Sequence, residues 1–172
     1  YYNEADAIDI VELANQQRAL WLADQARIDR CGSSWLKEHH GRQWGEEPLP
    51  ATGGTGAADA TATVGTVFIG STTIPDPAAM YATDPAGLRY QVLTNVTTPG
   101  SGTATLSLGA IDTGTQTNIA SGVVLTWANG PVGADEQFES TAAFTGGTDK
   151  ESDAEFASRL LARIRHKPAS GN

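Results

Sequence analysis

Apolar and polar residues follow a helical period at both ends of the chain and a strand period between them. From residue 4 to residue 30 a run of good helix formers contains no Gly or Pro. Its apolar residues fall near one broad helix face, made of Ala7, Ile10, Val11, Ala14, Trp21 and Ile28 and widened by Leu13, Leu20 and Leu22. The breadth of this face predicts packing against both the rest of this chain and another chain.

A second, shorter helix is predicted from Trp35 to about Gln43, with a serine before it as the N-cap. Pro48 and Pro50 end this helix, because proline removes a backbone donor and fixes φ. The small, Gly-rich residues 51–60 that follow are predicted to form a linker or a loose lead into a strand.

From Thr61 onward the pattern changes to that of β-strands. Runs rich in Thr, Val and Ile are separated by turns that contain Asp, Pro or Gly. The spacing of these turns is typical of a small sandwich or barrel. The predicted strands cover residues 64–70, 72–75, 88–96, 102–110 and 119–127.

The stretch from Phe144 to the end of the chain returns to a helical pattern. Ser152 and Glu155 have the spacing of a capping box, in which each side chain satisfies a free backbone donor of the first turn. Glu155 and Arg159 are spaced for an i,i+4 ion pair, and Pro168 is predicted to stop the helix. One apolar stripe runs along this helix and consists of Phe156, Leu160, Leu161 and Ile164.

These elements predict an α+β fold with N-terminal helices, a central and mostly antiparallel β-domain, and a C-terminal connector helix. Because the chain begins with Tyr1 rather than Met and ends on a turn-like Gly-Asn, we expect a fragment of a longer polypeptide. The connector helix is then expected to lead into a further C-terminal region. The predicted domains are a helical segment (1–50), a linker (51–60), a β-rich domain (61–143) and the connector helix (144–172).

The net charge of −9 at pH 7 narrows the classes of partner. A general nucleic-acid binder needs a basic face to displace counterions from phosphates, and an anionic membrane surface also attracts basic segments. No run approaches the roughly 20 consecutive apolar residues of a membrane span. Cys31 is the single cysteine, which excludes an internal disulfide framework. Nucleic acid and membrane partners are therefore not expected. No cofactor is expected either.

Candidate chemistry along the chain is sparse. His39 and His40 are adjacent and would point about 100° apart on a helix, so they cannot chelate one metal ion. The histidines lie in the flanks, away from the β-domain, so a Ser–His–Asp arrangement is not indicated. Asp76, Asp84 and Asp112 lie in turns, where Asp caps the local backbone. A hydrolase that uses these turn aspartates stays open as an alternative.

Four stretches, taken in order, resemble the baseplate J-like family of contractile phage tails and related injection machines, of the Mu-like type. They are the helical lead at 32–56, the Ile-Pro and Tyr markers within 72–96, the strand and bend at 102–122, and the final stretch GGTDKESDAEFASRLLARIRHKPASGN. The final stretch is specific to the family by itself. The other three are suggestive alone, and the resemblance is stronger because they occur in the same order as in the family. The chain departs from the family at Asp76-Pro77-Ala78-Ala79, which replaces a short Ala-Gly turn, and at Thr117, where the family often has Gly.

The resemblance implies a structural protein of the baseplate wedge and not an enzyme. Its implied partners are other wedge subunits, central hub or tail-tube proteins, tail fibre proteins and copies of itself around the ring. Its implied location is the virion, with assembly in the host cytoplasm. An adhesin-like or carbohydrate-binding β-module with helical spacers is the alternative function.

Eight residues of the helical segments are predicted to contact partner subunits. Partly buried tryptophans often anchor assemblies, although tryptophans at the edge of the chain's own core would show the same pattern. The arginines at the end of the last helix would otherwise belong to a solvated face. The eight residues are Trp21, Trp35, Trp44, Phe156, Arg159, Leu160, Leu161 and Arg163.

Overall fold

The chain folds into a helical unit and a barrel unit. The computed structural model describes residues 4–166, with side chains described from Glu12 onward. Residues 50–150 form the barrel unit, and the described residues before and after them form the helical unit. Helices flank a central antiparallel β-structure, which confirms the predicted α+β class.

Eight strands build the barrel unit. They are β1 (Thr55–Thr61), β2 (Val67–Phe68), β3 (Tyr81–Thr83), β4 (Arg89–Val92), β5 (Val96–Thr97), β6 (Thr103–Ala110), β7 (Val124–Trp127) and β8 (Gln137–Ser140). Six of them close an antiparallel barrel in the order β1-β6-β4-β3-β7-β8, and β8 pairs back onto β1. Strands β2 and β5 form a separate two-stranded sheet. Full closure leaves the barrel without an unpaired edge strand.

Alternation along β6 fills the barrel interior. Leu106 and Leu108 are fully buried, as their register in the sequence predicts. Their partners across the ladder to β1 are small, since Ala58 faces Leu106 and Gly56 faces Leu108. Small residues opposite large ones allow the side chains to fill a narrow barrel.

Phe144 packs into the barrel core against β1 and β4. A Cβ atom added at Gly56 would come within 2.1 Å of the Phe144 ring, so only glycine fits at that position. The ring meets Tyr90 edge-to-face at 5.2 Å between centroids. The Tyr90 hydroxyl donates to the carbonyl oxygen of Thr117. Burial raises the pKa of Tyr90 to about 12.

Of the two alternatives predicted over residues 51–60, the structure shows the lead into a strand rather than a linker, because strand β1 occupies Thr55–Thr61. The Ala and Gly residues of β1 have low β-propensity, so the local sequence gives no strand signal. The strand exists because it pairs with β6 over its whole length and because its small side chains fit the barrel interior. Tertiary packing therefore overrides local preference here.

The strand predicted over residues 72–75 is also wrong, because bends replace it. The buried side chain of Gln91 supplies the hydrogen bonds that a ladder would have made. Its amide nitrogen donates to the carbonyl oxygens of Ser71 and Thr73, and its amide oxygen accepts from Asp76 N. The predicted strand at 64–70 shortens to β2, and the one at 88–96 divides into β4 and β5.

Helix α1 (Glu4–Gln25) ends five residues before the predicted end at residue 30. The buried Gln25 side chain accepts a hydrogen bond from Gly32 N at 3.0 Å, and His40 Nε2 lies 3.0 Å from the Gln25 carbonyl oxygen. These contacts hold a turn in place of further helix. The second helical segment comprises α2 (Ser33–Trp35), a π-helix (Leu36–Gly41) and α3 (Arg42–Trp44).

Helix α4 (Asp153–Arg165) begins with the predicted capping box, which the structure confirms. Ser152 Oγ accepts from Glu155 N at 3.3 Å, and Ser152 N donates to Glu155 Oε2 at 2.9 Å. The predicted Glu155–Arg159 pair is wrong, because the capping box occupies Glu155 while Arg159 binds other carboxylates. Pro168, the predicted stop, lies outside the described residues.

Candidate interaction site

The core of the helical unit joins α4 to the second helical segment. Phe156 and Leu160 are fully buried, and Leu36 is nearly so. Five further residues pack with them: Ala157, Ile28, Cys31, Trp44 and Ile164. The apolar stripe predicted along this helix is therefore used mainly within the chain.

Arg159 forms a set of contacts that we call the Arg159 clasp. Its guanidinium donates to the carboxylates of Glu46 and Glu151 and to the carbonyl oxygen of Glu47. Arg163 forms an ion pair with Glu46 on its other carboxylate oxygen. The side chain of Glu151 is only 8% exposed, and the Arg159 hydrogen bonds lower its pKa. The same hydrogen bonds raise the pKa of Arg159.

Helix α1 has a long solvent-exposed stretch. Every residue from Glu12 to Asp24 is exposed, including Leu13, Leu20 and Trp21. Leu20 is 69% exposed and belongs to neither core cluster of the described residues. An apolar helix face left in water in this way is typical of a protein interface. The side chains of Ala7, Ile10 and Val11, predicted on the same face, lie outside the described set.

An aromatic group lies at the C-terminal half of α1. Trp21 meets Trp35 edge-on at 6.1 Å between ring centroids, and Trp35 stacks on His39 at 3.9 Å. Trp21 remains 54% exposed in spite of this contact. The arrangement holds a large apolar ring in a fixed position at the surface, which is the property of an interface anchor.

The eight predicted interaction residues lie in different environments in the structure. Phe156 and Leu160 belong to the core of the helical unit, and Arg159 belongs to the clasp. Exposed or half-buried positions are held by Trp21, Trp35, Trp44, Leu161 and Arg163. Contact between any of these residues and a partner chain stays a prediction.

In the barrel unit, residues 146–149 (GGTD) hold the neighbouring bend in place. Asp149 accepts hydrogen bonds from both the backbone N–H and the hydroxyl of Thr115, each at 2.9 Å. The Asn118 side chain donates to Gly147 O and accepts from Gly147 N, each at 2.8 Å. The first residues of the most specific sequence motif therefore have a structural role, because they hold the bend that contains Thr115 and Asn118.

The hydrogen bonds of the Asp149 carboxylate predict that the stability of the barrel unit depends on pH. The Thr115 hydrogen bonds lower the pKa of Asp149 from its ordinary value of 3.8. A carboxylate with a lowered folded-state pKa adds stability above its unfolded-state pKa and loses that contribution as the pH falls through the folded-state value. We expect Asp149→Asn to be less stable than the wild type at pH 7, with the gap closing below pH 3.8 in urea unfolding.

Asp135→Asn is the matched control for this prediction, because the Asp135 carboxylate accepts no hydrogen bond from the described residues. We expect it to unfold like the wild type at both pH values. A stability gap for Asp149→Asn that stayed constant down to pH 3 (roughly a pH unit below an ordinary Asp pKa) would contradict the role given to the carboxylate.

The turn aspartates considered for hydrolysis are engaged in local structure. Asp76 and Asp84 accept backbone N–H groups of their own turns, and Asp112 accepts the backbone and side chain of Arg89. A cleft of about 260 Å³ on the barrel unit is lined by Pro75, Asp76, Pro77, Ala79, Tyr81, Arg89 and Ile111. Within residues 4–166, no group of three or more His, Cys, Asp or Glu side chains is placed to hold a metal ion.

Known proteins resemble this chain in structure rather than in sequence. No family model and no curated protein sequence matches it. The fold resembles a chain of the cryo-EM structure of the anti-feeding prophage (AFP) baseplate, 6-fold symmetrised. The TM-score is 0.58 at 14% identity, over 97% of this chain.

The similarity to the AFP baseplate chain shows the fold. It includes both the helical and the barrel units, because almost the whole chain is matched, yet the chain spans only 49% of the length of the AFP chain. Over the part of the chain that the structure describes, no helix combines the length and apolar character needed to cross a membrane.

Sequence reasoning missed the carboxylates of the clasp. Glu46 and Glu151 are the partners of Arg159, and Glu46 lies 113 positions away from it in the sequence. Local spacing favoured Glu155 as the partner, because i,i+4 pairs are the usual helical neighbours. A signal existed in the crowding of acids next to both ends of the β-rich region, but spacing does not say which of them meet.

Proposed function

We propose that this protein is a structural component of the baseplate of a contractile phage tail or phage-like injection machine, acting in assembly through protein–protein contacts. The observation that carries the proposal is the similarity of fold to the AFP baseplate chain over 97% of this chain. The order of the four sequence stretches supports the finer proposal of a wedge subunit of the baseplate J-like family.

The exposed face of α1 supports an assembly role independently of that likeness. Leu13, Leu20 and Trp21 lie within about 100° of one another around the helix at steps of about 100° per residue, and exposed Leu22 lies on the other side. Each is more than half exposed. A helix with an apolar side that its own chain leaves uncovered gains stability when a partner covers that side.

The same proposal sets the partners and the location. Other wedge subunits, hub or tube proteins, fibre proteins and further copies of the chain are proposed as neighbours, in a virion or phage-like particle assembled in the host cytoplasm. A structural rather than catalytic role is proposed, supported by the structural bonds of the turn aspartates.

Leu20→Glu tests the proposal. Leu20 lies outside both core clusters formed by residues 12–166, so the isolated variant should keep the melting temperature of the wild type. In the particle the new carboxylate would be buried without a partner, which costs several kcal/mol, so assembled baseplates should fall by at least about tenfold. Negative-stain electron microscopy of particles from complemented cells provides the count.

Asn15→Glu is the control for the side that carries Leu13, Leu20 and Trp21, since it adds the same charge to α1 about 140° around the helix from Leu20, on the side of Leu22. It should assemble normally. If Leu20→Glu gave as many particles as the wild type, the exposed face of α1 would not be an assembly contact.

A further inference from the structure

The barrel unit interrupts the helical unit, and the two chain crossings lie side by side. Glu151 N donates to Leu49 O at 3.0 Å, and Leu49 N donates to Glu151 Oε2 at 2.8 Å. Both residues belong to the helical unit. The two parts of the helical unit, before and after the barrel sequence, are therefore hydrogen-bonded to each other next to the insertion.

The Arg159 clasp binds both of these crossings. One guanidinium reaches Glu46 and Glu47 before the barrel unit and Glu151 after it. The carboxylates are well covered, with the side chain of Glu46 14% exposed and that of Glu151 8% exposed. The Phe156 ring lies 5.2 Å from the guanidinium carbon, so the clasp rests on the core of the helical unit.

The two units have separate cores. The buried cluster of the barrel unit lies between Ala58 and Phe144, and that of the helical unit is formed by Leu36 and residues of α4. Neither cluster includes a residue of the other unit. Separate cores are the condition for separate cooperative unfolding.

We propose that the Arg159 clasp closes the helical unit across its insertion, so that the helical and barrel units open and unfold independently. Neutralising Arg159 leaves the covered Glu151 carboxylate without its cation and leaves Glu46 paired with Arg163 alone, and this destabilises the segments that flank the crossing as well as the start of α4. The barrel core contributes nothing to the clasp and should not respond. The barrel unit is thus an insertion in the sequence of the helical unit and has a core of its own.

Hydrogen exchange of the full chain, measured by mass spectrometry, tests the proposal with Arg159→Gln. We expect exchange in residues 46–49 and in α4 to accelerate at least about tenfold, because a partly covered ion network is broken. Exchange in β6 should stay at the wild-type rate. Arg165→Gln is the matched control, since Arg165 is exposed on the same helix and has no ion pair within the described residues.

Two results would overturn the proposal. Acceleration in β6 equal to that in α4 would show a single cooperative unit, and unchanged exchange in all segments would show that the clasp holds nothing. If Arg159→Gln does not yield soluble protein, Arg159→Lys keeps the charge but loses the fork that reaches several oxygens at once. It should accelerate exchange in the same segments by a smaller factor.

Discussion

Replacing Leu160 with Asp should unfold the helical unit while the barrel unit stays folded. Leu160 is fully buried between α4 and the second helical segment. Removal of a buried Leu side chain costs about 2–5 kcal/mol, and an unpaired buried carboxylate adds several more. The total approaches the whole stability of a small folded unit, about 5–15 kcal/mol. Loss of the helical signal in far-ultraviolet circular dichroism, which reports secondary structure, measures the effect.

Leu161→Asp is the matched control, because the neighbouring Leu161 is only half-buried. It should keep most of the helical signal, since its carboxylate can reach water. Both variants are also expected to impair assembly, Leu160→Asp through unfolding of the helical unit and Leu161→Asp through surface contacts. A helical signal lost to the same degree in both variants would contradict the distinction between core and surface.

Replacing Phe144 with Ala should destabilise the barrel unit by about 3–5 kcal/mol, the usual cost of removing a buried aromatic ring. The ring is 1% exposed, meets Tyr90 edge-on and fills the space that Gly56 leaves open. β1 cannot move inward to close the resulting cavity, because it is paired along its length with β6. Urea unfolding followed through the methyl NMR signals of Leu106 and Leu108 measures the loss.

Val132→Ala serves as the control for this variant, because Val132 is fully exposed in a turn of the same unit. Its unfolding midpoint should equal that of the wild type. An unchanged midpoint for Phe144→Ala would mean that the ring does not contribute to the barrel core.

The sequence predicts best the elements whose signals are local and periodic. The capping box of α4 depends on residues three apart, and the buried leucines of β6 follow a strict period of two. Each signal repeats within a few residues, so no knowledge of distant contacts is needed. The fold class follows from these elements and from the change of composition at both ends of the β-rich region.

Elements that depend on distant partners were not predictable. β1 is built from Ala, Gly, Thr and one Asp and becomes a strand only through its pairing with β6 and β8. Arg159 has a local candidate in Glu155 but binds carboxylates from the two chain crossings. In both cases the deciding interaction joins residues far apart in the sequence, where spacing carries no information.

The placement of the tryptophans decides what an optical experiment on this protein reports. Trp21, Trp35 and Trp44 lie in the helical unit, and Trp127 alone lies in the barrel unit, between Phe68 and Phe138. Intrinsic fluorescence is therefore weighted toward the helical unit, and a titration followed by emission would describe mainly the loss of that part. A single Trp127→Phe substitution would make the barrel nearly silent and turn the emission into a reporter of the helical unit alone.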